Sequence, residues 1–153
     1  MILEIPVHLR WSDMDAYGHV NNVEFLRLLE QARISAFWHV EGRTDAPGTA
    51  ILDASGAAGL VTLVARQEIE YLAPLEYHPE PIIVKLWLAH LGGASIDVCY
   101  EVCDTARTKT YARAVTTLVL IDTATSSPRR IGPREREAWE PYVGEPIKFR
   151  RRA

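Results

Sequence analysis

One long amphipathic helical pattern, from Asn22 to about Val40, precedes a chain whose later part alternates with a period of two. Phe25, Leu26, Leu28, Leu29, Ala32, Ala36, Phe37 and Val40 gather on one broad face, opposite Glu24, Arg27, Gln31 and Ser35. Such a face has to be buried, and strands are the elements signalled to bury it. Two residues interrupt the pattern. Arg33 projects into the apolar arc and Glu30 lies at its edge. A buried arginine needs a partner, and Glu30 stands at i,i+3 spacing to supply one.

The start of the helix is specified in detail. Asn21 suits an N-cap, Glu24 follows three residues later as in a capping box, and Val20 and Phe25 occupy the two positions of a hydrophobic staple. Gly18 permits a backbone turn just before it. A short strand is expected over Ile5–Trp11, with Pro6 favouring a sheet edge. Residues 41–60, punctuated by glycines and Pro47, read as a connection with one short helix around Thr49–Ala54, and can form a wall or lid of a pocket.

Four strand signals follow. Residues 61–71 alternate and end before Pro74; Ile82–Leu91 is dense in β-branched and aromatic residues; Gly92-Gly93 marks a hairpin; Ser95–Val102 alternates; Tyr111–Asp122 is the last and longest. Residues 124–153 read as a polar tail or short helix, with proline starting a helix at Pro133–Trp139. One strand, one long helix and four mostly antiparallel strands give an α+β class in which a sheet packs on a helix. No repeat divides the chain, so residues 1–153 are expected to form a single domain.

A length of 153 residues and a hydrophobic fraction of 48% suffice for a core. A net charge of −3 argues against general nucleic-acid binding. No apolar run is long enough for a membrane span, and Met1-Ile2-Leu3-Glu4 lacks the pattern of a signal peptide, so a cytoplasmic protein is expected. Cys99 and Cys103 stand roughly 13 Å apart along one strand, too far for a disulfide. No spacing suggests a zinc site.

The candidate chemistry lies just before the helix. Asp15 places a carboxylate beside a glycine turn and a helix start, whose free N–H groups can hold a developing oxyanion. A carboxylate can act as base or nucleophile, so the two together suggest acyl hydrolysis. A turn aspartate satisfying local N–H groups is the simpler alternative for Asp15. Asp13 can support Asp15 or the turn, and two nearby carboxylates can raise one pKa by repulsion. Ser95 has no basic neighbour and no Gly-x-Ser-x-Gly elbow surrounds it.

Asp13-x-Asp15-x-x-Gly18-His19-Val20-Asn21-Asn22, followed by Phe25-Leu26 and Glu30-x-x-Arg33, resembles the hotdog-fold acyl-CoA thioesterases of the 4-hydroxybenzoyl-CoA thioesterase type. Glu70-Tyr71-Leu72-Ala73-Pro74-Leu75 and Gly92-Gly93-Ala94-Ser95 resemble its second strand and its hairpin. The resemblance implies a curved antiparallel sheet wrapped around one long central helix. It implies hydrolysis of an acyl-CoA or acyl-carrier thioester, with Asp15 as nucleophile or general base. Backbone N–H groups of Gly18, His19, Val20, Asn21 and Asn22 would polarise the thioester carbonyl, with Asp13, Glu30 and Arg33 as candidate support. A thiolate leaves readily, so no metal or redox cofactor is expected. Such proteins usually form homodimers or homotetramers with substrate between subunits. Hotdog dehydratases or hydratases of 3-hydroxyacyl or enoyl thioesters, and a non-catalytic acyl-thioester-binding protein, are the alternatives. Arg129, Arg130, Arg134, Arg136 and Arg150-Arg151-Arg152 offer charge for CoA phosphates, or are solvated tail charge.

Overall fold

A computed structural model describes residues 1–53 and 55–150. Five strands form a strongly curled antiparallel sheet: β1 (Leu3–Val7), β4 (Leu60–Tyr71), β5 (Ile82–Leu91), β6 (Ser95–Cys103) and β7 (Thr110–Asp122), in the spatial order β1-β5-β6-β7-β4. Between β1 and β4 in sequence come α1 (Asn22–Phe37) and two short strands, β2 (Trp38–His39) and β3 (Leu52–Asp53), which pair in parallel. After β7 come β8 (Ser127–Pro128), paired with β7, and α2 (Pro133–Trp139). No described helix is long and apolar enough to cross a membrane.

The apolar stripe of α1 is buried as its spacing requires. Phe25, Leu28, Leu29, Ala32, Ala36 and Phe37 join a core with Val84, Leu86, Val98 and Tyr100 of the sheet. At roughly 1.5–3 kcal/mol for each fully buried large apolar side chain, this stripe is a major source of stability.

The first strand is β1, Leu3–Val7, not Ile5–Trp11, because Trp11–Asp13 turns into a single 3₁₀ turn. Pro6 does lie on an edge strand. The long helix stops at Phe37, so helices of 16 and 7 residues stand in place of one reaching Val40. Its last carbonyls are taken from outside: Thr49 Oγ1 donates to Ala36 O at 2.6 Å and Arg43 Nη1 to Ser35 O at 2.7 Å. Trp38 then turns extended and pairs with Leu52. Hence Val40, expected on the apolar face, is exposed. That same Thr49 and strand β3 replace the short helix expected over residues 49–54; Ala54 lies outside the described residues.

Residues 143–150 do not trail away as a polar tail. Val143 bridges Leu88, and Gly144 N donates to Leu88 O at 2.7 Å. The chain then crosses the sheet face opposite α1, where Trp87 Nε1 donates to Glu145 O at 2.8 Å and Arg150 N to Glu70 Oε2 at 2.9 Å. Cys99, across from Trp87 in the register, lies on that covered face.

Candidate active site

The segment after β1 is held by a buried carboxylate. Asp13 is fully buried and accepts from Arg10 N at 2.7 Å, Arg10 Nε at 3.2 Å and Arg10 Nη2 at 2.9 Å. The carboxylate of Asp13 raises the Arg10 pKa through that hydrogen bond and its charge. The Asp13 carbonyl accepts from Asn21 N at 2.8 Å. Asp13 thus braces both ends of the loop, and its carboxylate is spent on Arg10 rather than facing Asp15.

Residues 14–20 form a small hairpin, with Met14 bridging Val20 and Asp15 N donating to His19 O at 2.7 Å. Gly18 turns it at φ +77°, a conformation that resists a side chain. Asp15 Oδ1 accepts from Tyr17 N at 2.8 Å and His19 N at 3.2 Å. The turn role is therefore real, and it is carried by one oxygen. No donor among the described residues reaches Asp15 Oδ2.

Asn21 caps α1 by accepting from Val23 N at 3.1 Å. The expected capping box does not close. The Asn21 N–H is already committed to Asp13 O, and the Glu24 carboxylate lies 3.3 Å from Arg27 Nε and 3.9 Å from Arg10 Nη2.

Most N–H groups of the expected oxyanion set are engaged within the hairpin and its neighbours. Gly18 N donates to Asp15 O at 3.1 Å, His19 N to Asp15 Oδ1, Val20 N to Leu75 O at 2.8 Å and Asn21 N to Asp13 O. Among residues 18–22 only Asn22 N–H lacks an acceptor among the described residues. That is the first N–H of α1, one of the groups a helix cannot satisfy internally. The five-residue expectation therefore narrows to one donor, because the hairpin consumes the others.

Asp15, His19, Val20 and Asn22 border one cavity of about 380 Å³ with Phe25 and Tyr71. Leu72, Ala73, Pro74 and Leu75 close the other side. Tyr71 Oη donates to Asn22 O at 2.9 Å, and the Tyr71 and Phe25 rings meet edge to face at 5.4 Å. Burial pushes the Tyr71 phenol above its ordinary pKa. Sequence reasoning placed Tyr71 in a strand and turn and missed its contact with the helix start. Its position at the end of an alternating run, three residues before Pro74, is the available signal.

Glu30 and Arg33 do not border this cavity. They line a separate groove between α1 and β4 with Val64 and Gln67. Arg33 is 4% exposed and donates to Tyr100 Oη at 3.1 Å, while Glu30 stands 3.8 Å away with its side chain 60% exposed. The buried partner is thus a phenol, which spacing along the helix does not reveal. Arg129, Arg130, Arg134 and Arg136 are also absent from the cavity walls. Arg151 and Arg152 lie outside the described residues. No group of three or more His, Cys, Asp or Glu suited to a metal occurs among the described residues.

A family model described as the thioesterase-like superfamily matches residues 9–145. No curated protein matches the chain in sequence. Among solved structures, a candidate acyl-CoA thioesterase from Xanthomonas campestris is 30% identical, with 79% of this chain and 93% of that one covered and a TM-score of 0.62. A thioesterase from Thermus thermophilus, crystallised with coenzyme A and Zn, is 26% identical over 94% and 96% of the two chains, with a TM-score of 0.70. A 1,4-dihydroxy-2-naphthoyl-CoA thioesterase from Synechocystis shares the fold at 18% identity, with 90% and 95% covered and a TM-score of 0.74.

Proposed function

This chain belongs to the thioesterase-like superfamily, and on that premise we propose that it hydrolyses acyl-CoA thioesters, with Asp15 as the catalytic carboxylate. One observation carries the reading: Asp15 and Asn22, whose N–H has no internal acceptor, border the same cavity. The Asn22 N–H, at the positive end of α1, stabilises the charge that develops on the thioester oxygen. Asp15 Oδ1 is held by two N–H groups, which leaves Oδ2 as the reacting oxygen.

Two routes share this arrangement. Oδ2 attacks the carbonyl carbon, the C–S bond breaks, the thiolate departs, and water hydrolyses the resulting anhydride. Alternatively, Oδ2 takes a proton from water, whose oxygen attacks the carbonyl and expels the thiolate. Either gives a free acid and a thiol. Label found in Asp15 after a single turnover in ¹⁸O-water establishes the anhydride route, since the general-base route puts label only in the product acid.

The Asp-x-Asp-x-x-Gly-His-Val-Asn-Asn motif supports the hotdog arrangement and the 4-hydroxybenzoyl-CoA thioesterase type. The sheet ends in β4, whose Leu63 and Val64 are 56% and 45% exposed. An unpaired edge with apolar side chains supports pairing with a second copy, hence a homodimer. The decisive measurement is thiol release from short, long and aromatic acyl-CoAs by wild type and Asp15→Asn. Turnover that collapses in the variant supports the reading. Equal rates remove Asp15 from the chemistry, and no thiol from any substrate removes acyl-CoA hydrolysis.

A further inference from the structure

A second cavity of about 380 Å³ adjoins the first and shares His19 and Pro74 with it. The two differ in chemistry. The first is walled largely by Val20, Phe25, Leu72, Ala73 and Leu75. The second is walled by Glu76, Tyr77, His78, Lys109 and Tyr111. Lys109 Nζ stands 5.3 Å from the centre of the Tyr111 ring, which keeps the ammonium over the cavity wall. Lys109 makes no ion pair with any described residue. On the rim, Trp11 stacks on Tyr77 with ring centres 4.3 Å apart and planes at 18°, yet Trp11 is 75% exposed. The stack on Tyr77 holds the Trp11 ring in one orientation and leaves its outer face open to a flat ligand.

An acyl-CoA has matching halves: an apolar acyl group on one side of the thioester, and a phosphorylated, adenine-bearing arm on the other. We propose that the second cavity binds the thiol half of CoA, with Lys109 pairing a phosphate and the outer face of Trp11 stacking the adenine. This rests on the hydrolase reading and gives it a direction: acyl group into the apolar cavity, phosphates past His19. Lysine is a point-charge phosphate binder, and a nucleobase stacks on an aromatic face of any sequence context. Glu76 opposes the phosphate from the same wall, so its charge weakens binding. A carrier protein presents the same phosphopantetheine without adenine, and Trp11 is what distinguishes the two.

The test is calorimetric titration of CoA, 4′-phosphopantetheine and pantetheine, which needs no turnover. Wild type should bind CoA most tightly and pantetheine least. Lys109→Ala should weaken CoA and phosphopantetheine about fivefold, the upper range for an exposed ion pair, and leave pantetheine unchanged; Lys109→Arg should restore it. Trp11→Ala should weaken CoA about tenfold, as loss of a base stack does, without touching phosphopantetheine. Glu76→Gln should tighten CoA. Equal affinity of wild type for CoA and pantetheine, or a Lys109→Ala loss that extends to pantetheine, overturns the proposal. Equal affinity for CoA and phosphopantetheine overturns the adenine contact and points to a carrier arm. CoA binding with no thiol release from acyl-CoA would sink the hydrolase reading and spare the binding site.

Discussion

The hydroxyl of Tyr71 donates a 2.9 Å hydrogen bond to the carbonyl of Asn22, tying the end of β4 to the first residue of α1. The bond joins the sheet's terminal strand to the residue that offers the unclaimed N–H. Position at that N–H is therefore set by β4 as well as by the helix's own cap. Tyr71→Phe keeps the ring against Phe25 and removes only the bond. Stability should fall by about 1 kcal/mol, or about 3 °C in melting temperature for a chain of this size. Turnover should fall about tenfold, within what small misplacements at a reacting centre cost. Full turnover in a destabilised Tyr71→Phe would show that the tie serves folding alone.

Asp15 holds two N–H groups through Oδ1 and leaves Oδ2 unengaged. This separates its structural use from its proposed chemical one. Asparagine retains an oxygen able to accept both bonds, so Asp15→Asn should melt within about 1 °C of wild type and lose turnover by about a thousandfold or more. Alanine leaves the Tyr17 and His19 N–H groups to water and should also cost about 1 kcal/mol. Melting curves of the two variants, measured beside their kcat, test the division. Comparable destabilisation by both substitutions would contradict it.

The sequence pattern is enough for β5, β7 and the Asn21 cap, which neighbours in the chain govern, but not for the Glu24 side of the capping box, which Asp13 pre-empts. Asn21 caps α1 and Gly18 turns at positive φ for purely local reasons. The end of α1 was not legible, since Thr49 and Arg43 arrive from a connection with no periodicity of its own. The site shows the same split. Asp15 can be picked out from a turn motif. That the hairpin uses up every N–H from Gly18 to Asn21 follows only from Asp13, Asp15 and Leu75 being brought together. The place of Arg33 in the apolar arc shows that it needs a partner, yet Tyr100, which supplies one, lies 67 positions away in sequence.

Acid should loosen the junction between β4, β7 and the C-terminal segment. The Arg113 guanidinium, and then the Arg150 N–H, hold the Glu70 carboxyl below its ordinary 4.5. A depressed folded pKa means that its contribution is present above the unfolded value and lost as pH falls through the folded one. Melting temperature should therefore decline below about pH 4.5, less steeply in Glu70→Gln. An identical acid limb in that variant would exclude Glu70 as a contributor. Because the pair is largely solvent-screened, added salt should shrink the difference.

Cys99 lies under the segment that crosses the outer face, and burial pushes its thiol up to about 11. Cys103 is also raised by burial. The thiolate is the reactive form, and at pH 8 only about one Cys99 in a thousand carries it. Neither cysteine should react with iodoacetamide in the native protein at pH 8, and both should react once it is unfolded. Removing the chain from Val143 onward takes away the contacts with Leu88 and Trp87 and uncovers the face holding Cys99. Cys103 instead donates from Sγ to Ile83 O at 3.4 Å within the sheet. The truncated protein should therefore label faster at Cys99 while Cys103 keeps its native rate, as read by peptide mass mapping against time. If both sites accelerate together, the truncation has loosened the whole sheet; if neither does, the segment is not what shields Cys99.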